Sequence, residues 1–309
     1  MQLYTLARSG NFYKGNLHTH TTLSDGLLSP EDTILKYKNN NFAFLSITDH
    51  NLYGIFSEWN LENFLMIPGI EFNTSNAPAG TWGHHIVGIG HPGDTGFYHG
   101  ERFVDDKSLK NENVQRIIDF LVERNNLAIY AHPYWSRVDI SDIVHLKNLT
   151  GMEIMNYACE ASWKSGNAEV FYSHFLWESN FIWCMATDDS HGHANEFFGG
   201  YIVVKTPDFT HQGILDAIKS GSFYACYASE GKEAPAIMDF IVEDYVAKIT
   251  CEPCRVVYIY TPKGHISLHG TEDSPITHAE YEIKPDCQFV RATCVDFKGN
   301  TSWAQPIII

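Results

Sequence analysis

Histidine and carboxylate side chains recur along the chain, as far as residue 191, at spacings that suit metal coordination. His18 and His20 sit in NLHTHTTLSDG, with Asp25 five residues after the second. On an extended strand, residues i and i+2 face the same side, so the two imidazoles make either half of a metal site or a polar face with nothing bound. His50 ends ITDH and follows Asp49; Glu71 lies in PGIEF; His84 and His85 lie in GHHIVG; His132 lies in YAHPYW; Asp188, Asp189 and His191 lie in ATDDSHG. One histidine at a strand end is usually structural. A whole series of imidazoles and carboxylates, gathered without cations, would cost several kcal/mol in desolvation and repulsion. The set holds no cysteine, and imidazole with carboxylate suits Zn²⁺, Mn²⁺ or Fe²⁺ rather than Ca²⁺ or a thiolate zinc site. Six histidines and three carboxylates are too many for one ion. They suit two or three divalent ions, with Glu71 placed to bridge.

The elements that must position these groups are short apolar runs: NFAFLSI (41–47), NFLMIPGI (63–70), HIVGIG (85–90), LAIYA (127–131), GMEIM (151–155), FIWCMAT (181–187) and YIVV (201–204). Most of the candidate ligands fall where such a run ends, the face on which alternating strand–helix barrels build their sites. Helical segments lie between the runs. Ser29-Pro30-Glu31-Asp32 reads as a helix start, with a serine cap, proline at the first helical position and acids in the first turn. Residues 108–126 place Val114, Ile117, Ile118, Leu121 and Val122 on one face. Residues 209–221 end on a glycine in a cap-like position. The alternation predicts a parallel α/β domain over 1–230. From Pro235 the pattern changes to short alternating strands parted by turns such as Thr261-Pro262-Lys263-Gly264, which predicts a small antiparallel, sandwich-like β-domain over 231–309 whose role the residues do not disclose.

The 309 residues carry a formal net charge of −16, which argues against a nucleic-acid polymer as partner. Seven cysteines, with one CxxC at Cys251 and Cys254 that lacks a second CxxC, read as free thiols in a reducing compartment. No secretory leader and no membrane-length apolar run is visible, so a cytoplasmic protein without membrane contact is expected, and a homo-oligomer is compatible with it.

HTHTTLSDG, ITDHN, PGIEF, YAHPYW and ATDDSHG, in that order, resemble the successive motifs of the PHP (polymerase and histidinol phosphatase) superfamily of metal-dependent phosphoesterases, over residues 12 to about 228. The resemblance implies a distorted (β/α)₇ barrel with a di- or trinuclear site. It implies His18, His20, Glu71 and Asp189 on one metal; Glu71, His132 and one GHHIVG histidine on a second; Asp25, His50 and His191 on a third. Strand alternation lets only one of His84 and His85 face the site. His85 is preferred, since it precedes IVG as the ligand does in many relatives. Asp189 rather than Asp188 fits the family spacing D-x-H.

The chemistry implied is attack by a metal-bridging hydroxide on a phosphate ester of a small molecule such as a nucleotide or sugar phosphate. Glu71 and Asp189 would serve it as catalytic ligands. His193 is a candidate to protonate a leaving group. Arg137 is a candidate for a phosphate oxygen. Asp49 either orients a ligand histidine from behind or caps a turn. The alternatives are hydrolysis of a carboxylic or carbamate ester by the same cluster, and a non-catalytic binding module.

Overall fold

The computed structural model describes residues 2–74, 81–103, 114–229 and 232–309. The expected strands are present, and their ligand-bearing ends converge. They are organised as two open sheets rather than one closed barrel. One sheet has the strand order Trp183–Thr187, Leu149–Asn156, Leu127–Tyr130, His85–Ile89 and Gly69–Asn73. The other contains Leu65–Met66, Phe44–Leu45, Asn11–Asn16, Gly200–Thr206 and Phe223–Tyr227 in adjacent positions. Single bridges, Thr19 to Ser190 and His50 to Glu71, join the two sheets at the end where the ligands gather.

Seven parallel strand–helix units are not formed. His85–Ile89 runs antiparallel to both neighbours. Eleven residues, 74–84, separate the two strands, short for a parallel crossover with its helix, which favours antiparallel pairing. The reversal explains why GHHIVG carries its histidines before the apolar run while the other ligands follow theirs: the start of this strand lies at the rim where its neighbours end.

The helices formed where capping predicted them. Pro30–Lys38 is capped by Ser29, whose hydroxyl accepts from the Asp32 N–H. His211–Ser220 is capped by Thr210 and ends at Gly221 in the left-handed region. Of the helix expected over 108–126, Val114–Val122 is described, with Val114, Ile117, Ile118 and Leu121 buried and Val122 exposed; residues 108–113 lie outside the described residues. The helices Tyr157–Trp163 and Glu169–Trp177 were not foreseen.

The C-terminal strands form an antiparallel sandwich-like layer, with one strand, Gly264–His269, that the sequence reading had passed over. The strand Thr301–Ala304 pairs with Phe223–Tyr227, so the second sheet continues unbroken from the barrel-like half into this layer. The N-terminal strand Gln2–Tyr4 pairs in turn with Ile237–Glu243. Ile34, Tyr37 and Phe42 share one core with Phe240, Ile249 and Val257. The domain boundary drawn at 230/231 falls on residues outside the described ones. Among the described residues, no helix is long and apolar enough to cross a membrane.

Candidate metal centre

Glu71 lies at the middle of the site, fully buried on the strand Gly69–Asn73. Its Oε1 is 2.9 Å from His85 Nδ1, 3.2 Å from His132 Nε2 and 3.4 Å from His18 Nε2. Its Oε2 is 2.9 Å from His50 Nδ1 and 3.3 Å from His20 Nε2. Asp189 forms the second focus, with Oδ1 3.0 Å from His20 Nε2 and 3.2 Å from His18 Nε2. Asp25 forms the third, with Oδ2 3.5 Å from both His50 Nε2 and His191 Nε2. His18 and His20 share one side of their segment, as their spacing required, with Nε2 atoms 3.2 Å apart.

The backbone is held in place to make this possible. His132 and Asp189 both have positive φ, +26° and +51°, a conformation that costs a non-glycine residue about 1–3 kcal/mol. Two hydrogen bonds fix them. The His132 N–H donates to Glu153 Oε2 and the Asp189 N–H donates to the His18 carbonyl, both at 2.9 Å.

Several rings have their protons placed by a partner on the far side. His18 Nδ1 is 2.7 Å from Glu153 Oε1; the carboxylate only accepts, so Nδ1 carries a proton and Nε2 is the nitrogen turned toward the centre. His191 Nδ1 donates to the Asp189 carbonyl at 3.0 Å, which leaves its Nε2 toward Asp25. His132 Nδ1 meets Ser136 Oγ at 3.1 Å.

The charge state shows what the cluster lacks. Burial would raise Glu71 and Asp189, but the surrounding imidazoles hold both well below the ordinary carboxylate range. Burial would lower His18, His50, His132 and His191, but the carboxylates at Glu71, Asp189 and Asp25 outweigh it and raise all four. Protons thus stand where positive charge is needed. They do not satisfy the geometry: His50 Nδ1 and Glu71 Oε2 stand 2.9 Å apart and Asp189 Oδ1 stands 3.0 Å from His20 Nε2, yet none of these three buried atoms is aligned for a hydrogen bond. Each such atom costs on the order of 1–3 kcal/mol, and a shared cation removes that cost. The donor set, all imidazole and carboxylate, therefore fits divalent metal ions. The residues that could hold them fall into overlapping groups: His20, Asp25, His50 and His191; His18, Glu71 and His132; His18, His20 and Asp189; and His50, Glu71 and His85.

Four of the candidates lie elsewhere. The His84 ring meets Tyr130 Oη at 2.6 Å, because strand alternation sends it to the side opposite His85. Asp49 touches no histidine; it accepts from the Thr21 N–H, the Thr21 hydroxyl and the Ser24 hydroxyl, and so fixes the turn that carries Asp25. Arg137 is exposed with its guanidinium over Trp82, 5.5 Å from the ring centroid. His193 is exposed and does not line the pocket; its N–H donates to Glu196.

Glu153 had not been singled out. It is fully buried and accepts from His18, the His132 N–H, the Asn156 amide and the Thr187 hydroxyl. A carboxylate within the apolar strand LTGMEIMN was the available sign. Asn156, at the end of the same strand, donates to both Glu153 and Asp189. Asp188 faces away, taking the Tyr37 hydroxyl and the Phe198 and Gly200 N–H groups. Burial pushes its carboxyl up to about 7.

A cavity of about 220 Å³ opens over the centre, walled by Trp135, Cys159, Ser162, Trp163 and Glu196 beside the ligands. His50, His191 and Asp25 are its more exposed members; Glu71, His85, His132 and Asp189 are its buried lining, and His18 and His20 are fully buried next to Glu71 and Asp189.

No family model matches the sequence, and no curated relative matches it. Among solved structures, the chain is similar to a two-domain protein from Bacteroides vulgatus ATCC 8482 containing a predicted PHP-like metal-dependent phosphoesterase. The TM-score is 0.51 at 13% identity, over 94% of this chain and 92% of that one. An amidohydrolase from Chromobacterium violaceum, solved with sulfate and no metal, is similar over 59% of this chain and 89% of its own, at 16% identity and TM-score 0.41. The fold of that two-domain protein is therefore shared across nearly the whole of this chain.

Proposed function

We propose that this PHP-like chain is a metal-dependent hydrolase that cleaves a phosphate ester of a small molecule. The observation that carries the reading is Glu71, a buried carboxylate within 3.4 Å of five imidazole nitrogens and with one oxygen that none of them meets in hydrogen-bond alignment. The residues that would hold metal are His18, His20, Asp25, His50, Glu71, His85, His132, Asp189 and His191. Two or three divalent cations there would supply Lewis-acid polarisation of the ester and ionise water at neutral pH.

The chain's own residues do the rest. Glu71 and Asp189 anchor the floor of the site. Glu153 holds the proton of His18 on Nδ1 and the backbone of His132 in place, so the ligand atoms are set before substrate arrives. The more exposed corner at Asp25, His50 and His191 is the side from which an ester enters and a leaving group departs. Trp135, whose ring centroid lies 5.0 Å from that of His132, lines the inner wall, and Trp163, largely exposed, stands at the cavity's edge. The small cavity favours a phosphoryl group with its organic part lying outside.

One observation favours a second reading. No lysine or arginine lines the cavity among the described residues, and the imidazole protons are already balanced by carboxylates, so a phosphate would depend on bound cations. A carboxylic or carbamate ester would need no more than that. The test is elemental analysis of protein purified without chelator. It is joined to assays on p-nitrophenyl phosphate, bis-p-nitrophenyl phosphate and p-nitrophenyl acetate with added Mn²⁺. The His20→Ala and Asp189→Ala variants run in parallel. Phosphate-ester turnover lost in both variants supports the phosphoesterase. Turnover of the acetate alone moves the assignment to carbonyl esters. Less than one metal per chain after anaerobic Mn²⁺ or Fe²⁺ would end the metal reading.

A further inference from the structure

The C-terminal layer carries a second cluster of metal-binding side chains, of a different chemistry. Cys251 and Cys254 lie on the strand Val246–Cys254, and Cys294 lies on Phe289–Val295. Three residues apart on a regular strand, Cys251 and Cys254 would face opposite sides. Here the register shifts between Thr250 and Cys254, Glu252 and Pro253 stand exposed, and both thiols turn into the same core. The core places Cys294 beside them, and the three sulfurs all lie within 4.8 Å of one another. All three residues are buried, at 1%, 0% and 0% exposure.

We infer that Cys251, Cys254 and Cys294 form a three-thiolate site for a soft, thiophilic cation such as Zn²⁺. The spacing carries the assignment. The Cys251 and Cys254 sulfurs are 3.8 Å apart, far beyond the ~2.05 Å of a disulfide. A tetrahedron built on zinc–sulfur bonds of about 2.3 Å has edges of about 3.8 Å. Thiolate donors select such cations, in contrast to the imidazole–carboxylate donors of the barrel-like half. The three protein ligands leave a fourth position to a small exogenous ligand, and the exposed Glu252–Pro253 bulge puts the cluster one residue beneath the surface. The CxxC was visible in the sequence; its partner forty residues on was not.

The test uses the full chain, reduced with a phosphine and titrated anaerobically with Co²⁺. The candidate ligands of the barrel-like centre include no sulfur, and Cys159→Ser removes the one thiol on its cavity wall, so a near-ultraviolet thiolate-to-cobalt charge-transfer band kept in that variant reports this cluster. The expected result is a band whose final intensity corresponds to one thiolate-bound Co²⁺ per chain, lost in Cys251→Ser and Cys294→Ser and kept in Cys159→Ser. No band in the wild type, or one that survives Cys294→Ser, overturns the assignment and leaves the thiols as core packing. X-ray absorption of the zinc-loaded wild type decides without relying on a variant that folds. A sulfur shell at about 2.3 Å supports the site, and nitrogen and oxygen neighbours alone refute it.

Discussion

Glu153 binds no metal in the proposed arrangement, yet four donors converge on it. Glu153→Gln keeps the shape but turns an amide toward at least one of those donors and frees the His18 proton. Loss of such a partner behind a ligand typically weakens metal binding 10–100-fold. Competition with a chromophoric chelator should show a loss of that size, and an unchanged affinity would remove Glu153 from the site. His85 and His84 give a paired test: His85→Ala should lower the metal content, while His84→Ala should leave it intact, both read by elemental analysis. In metal-stripped protein, His191 titrates within reach of experiment. Burial opposes its charge, but the hydrogen bond to Asp25 and the charge of Asp189 carry it up to about 9. A raised histidine contributes stability that is full below its unfolded value near 6.5 and lost as pH rises through the folded value. The thermal midpoint of chelated protein should therefore fall between pH 6.5 and 9, and His191→Ala should flatten that slope. The residues that converge were legible because each is a side chain with chemistry of its own, repeated at strand ends. Asp49 takes the turn-holding one of its two expected roles, while Arg137 and His193 lie outside the cavity wall, because nearness in sequence to a candidate ligand says nothing about which way a loop turns.

At the scale of elements, the strand ends are located by close backbone approaches. A Cβ at Gly200 would sit 1.9 Å from the Thr187 carbonyl, immediately before Asp188 and Asp189. Gly200→Ala must push this strand away from its neighbour. The expected cost is at least about 2 kcal/mol, seen as a lowered denaturation midpoint together with reduced metal retention. A loss of stability without loss of metal would show that the Asp189 loop is positioned from elsewhere. Capping and periodicity were enough to find the helices at 30–38 and 211–220. They failed for 157–163 and 169–177. The first is capped by Asn156, which also serves the metal centre, so its capping role was hidden in a strand end. The second has no side-chain cap at all. The reversal of 85–89 could be inferred only from the shortness of the link before it, a constraint on connection rather than on composition.

For the molecule as a whole, the change of pattern near residue 235 was readable, but the way the two halves are joined was not. Pairing between Phe223–Tyr227 and Thr301–Ala304, and between Gln2–Tyr4 and Ile237–Glu243, depends on contacts over long sequence separations, which periodicity does not encode. A chain ending at residue 229 would leave an unpaired apolar edge and strip the cover from Tyr224 and Cys226. It should aggregate or fail to give a native circular dichroism spectrum. A monodisperse, metal-loaded product would show that the C-terminal layer is dispensable for folding. The absence of lysine and arginine from the described cavity wall has a kinetic consequence. Until cations are seated, an anionic substrate meets a cavity whose positive charge resides only on imidazole protons, already balanced by the carboxylates of Glu71, Asp189 and Asp25. Addition would then be compulsory in order, metal first and ester second. Inorganic phosphate would give no binding heat with the chelated protein and a measurable one after loading, and metal supply rather than substrate supply would switch the chain on.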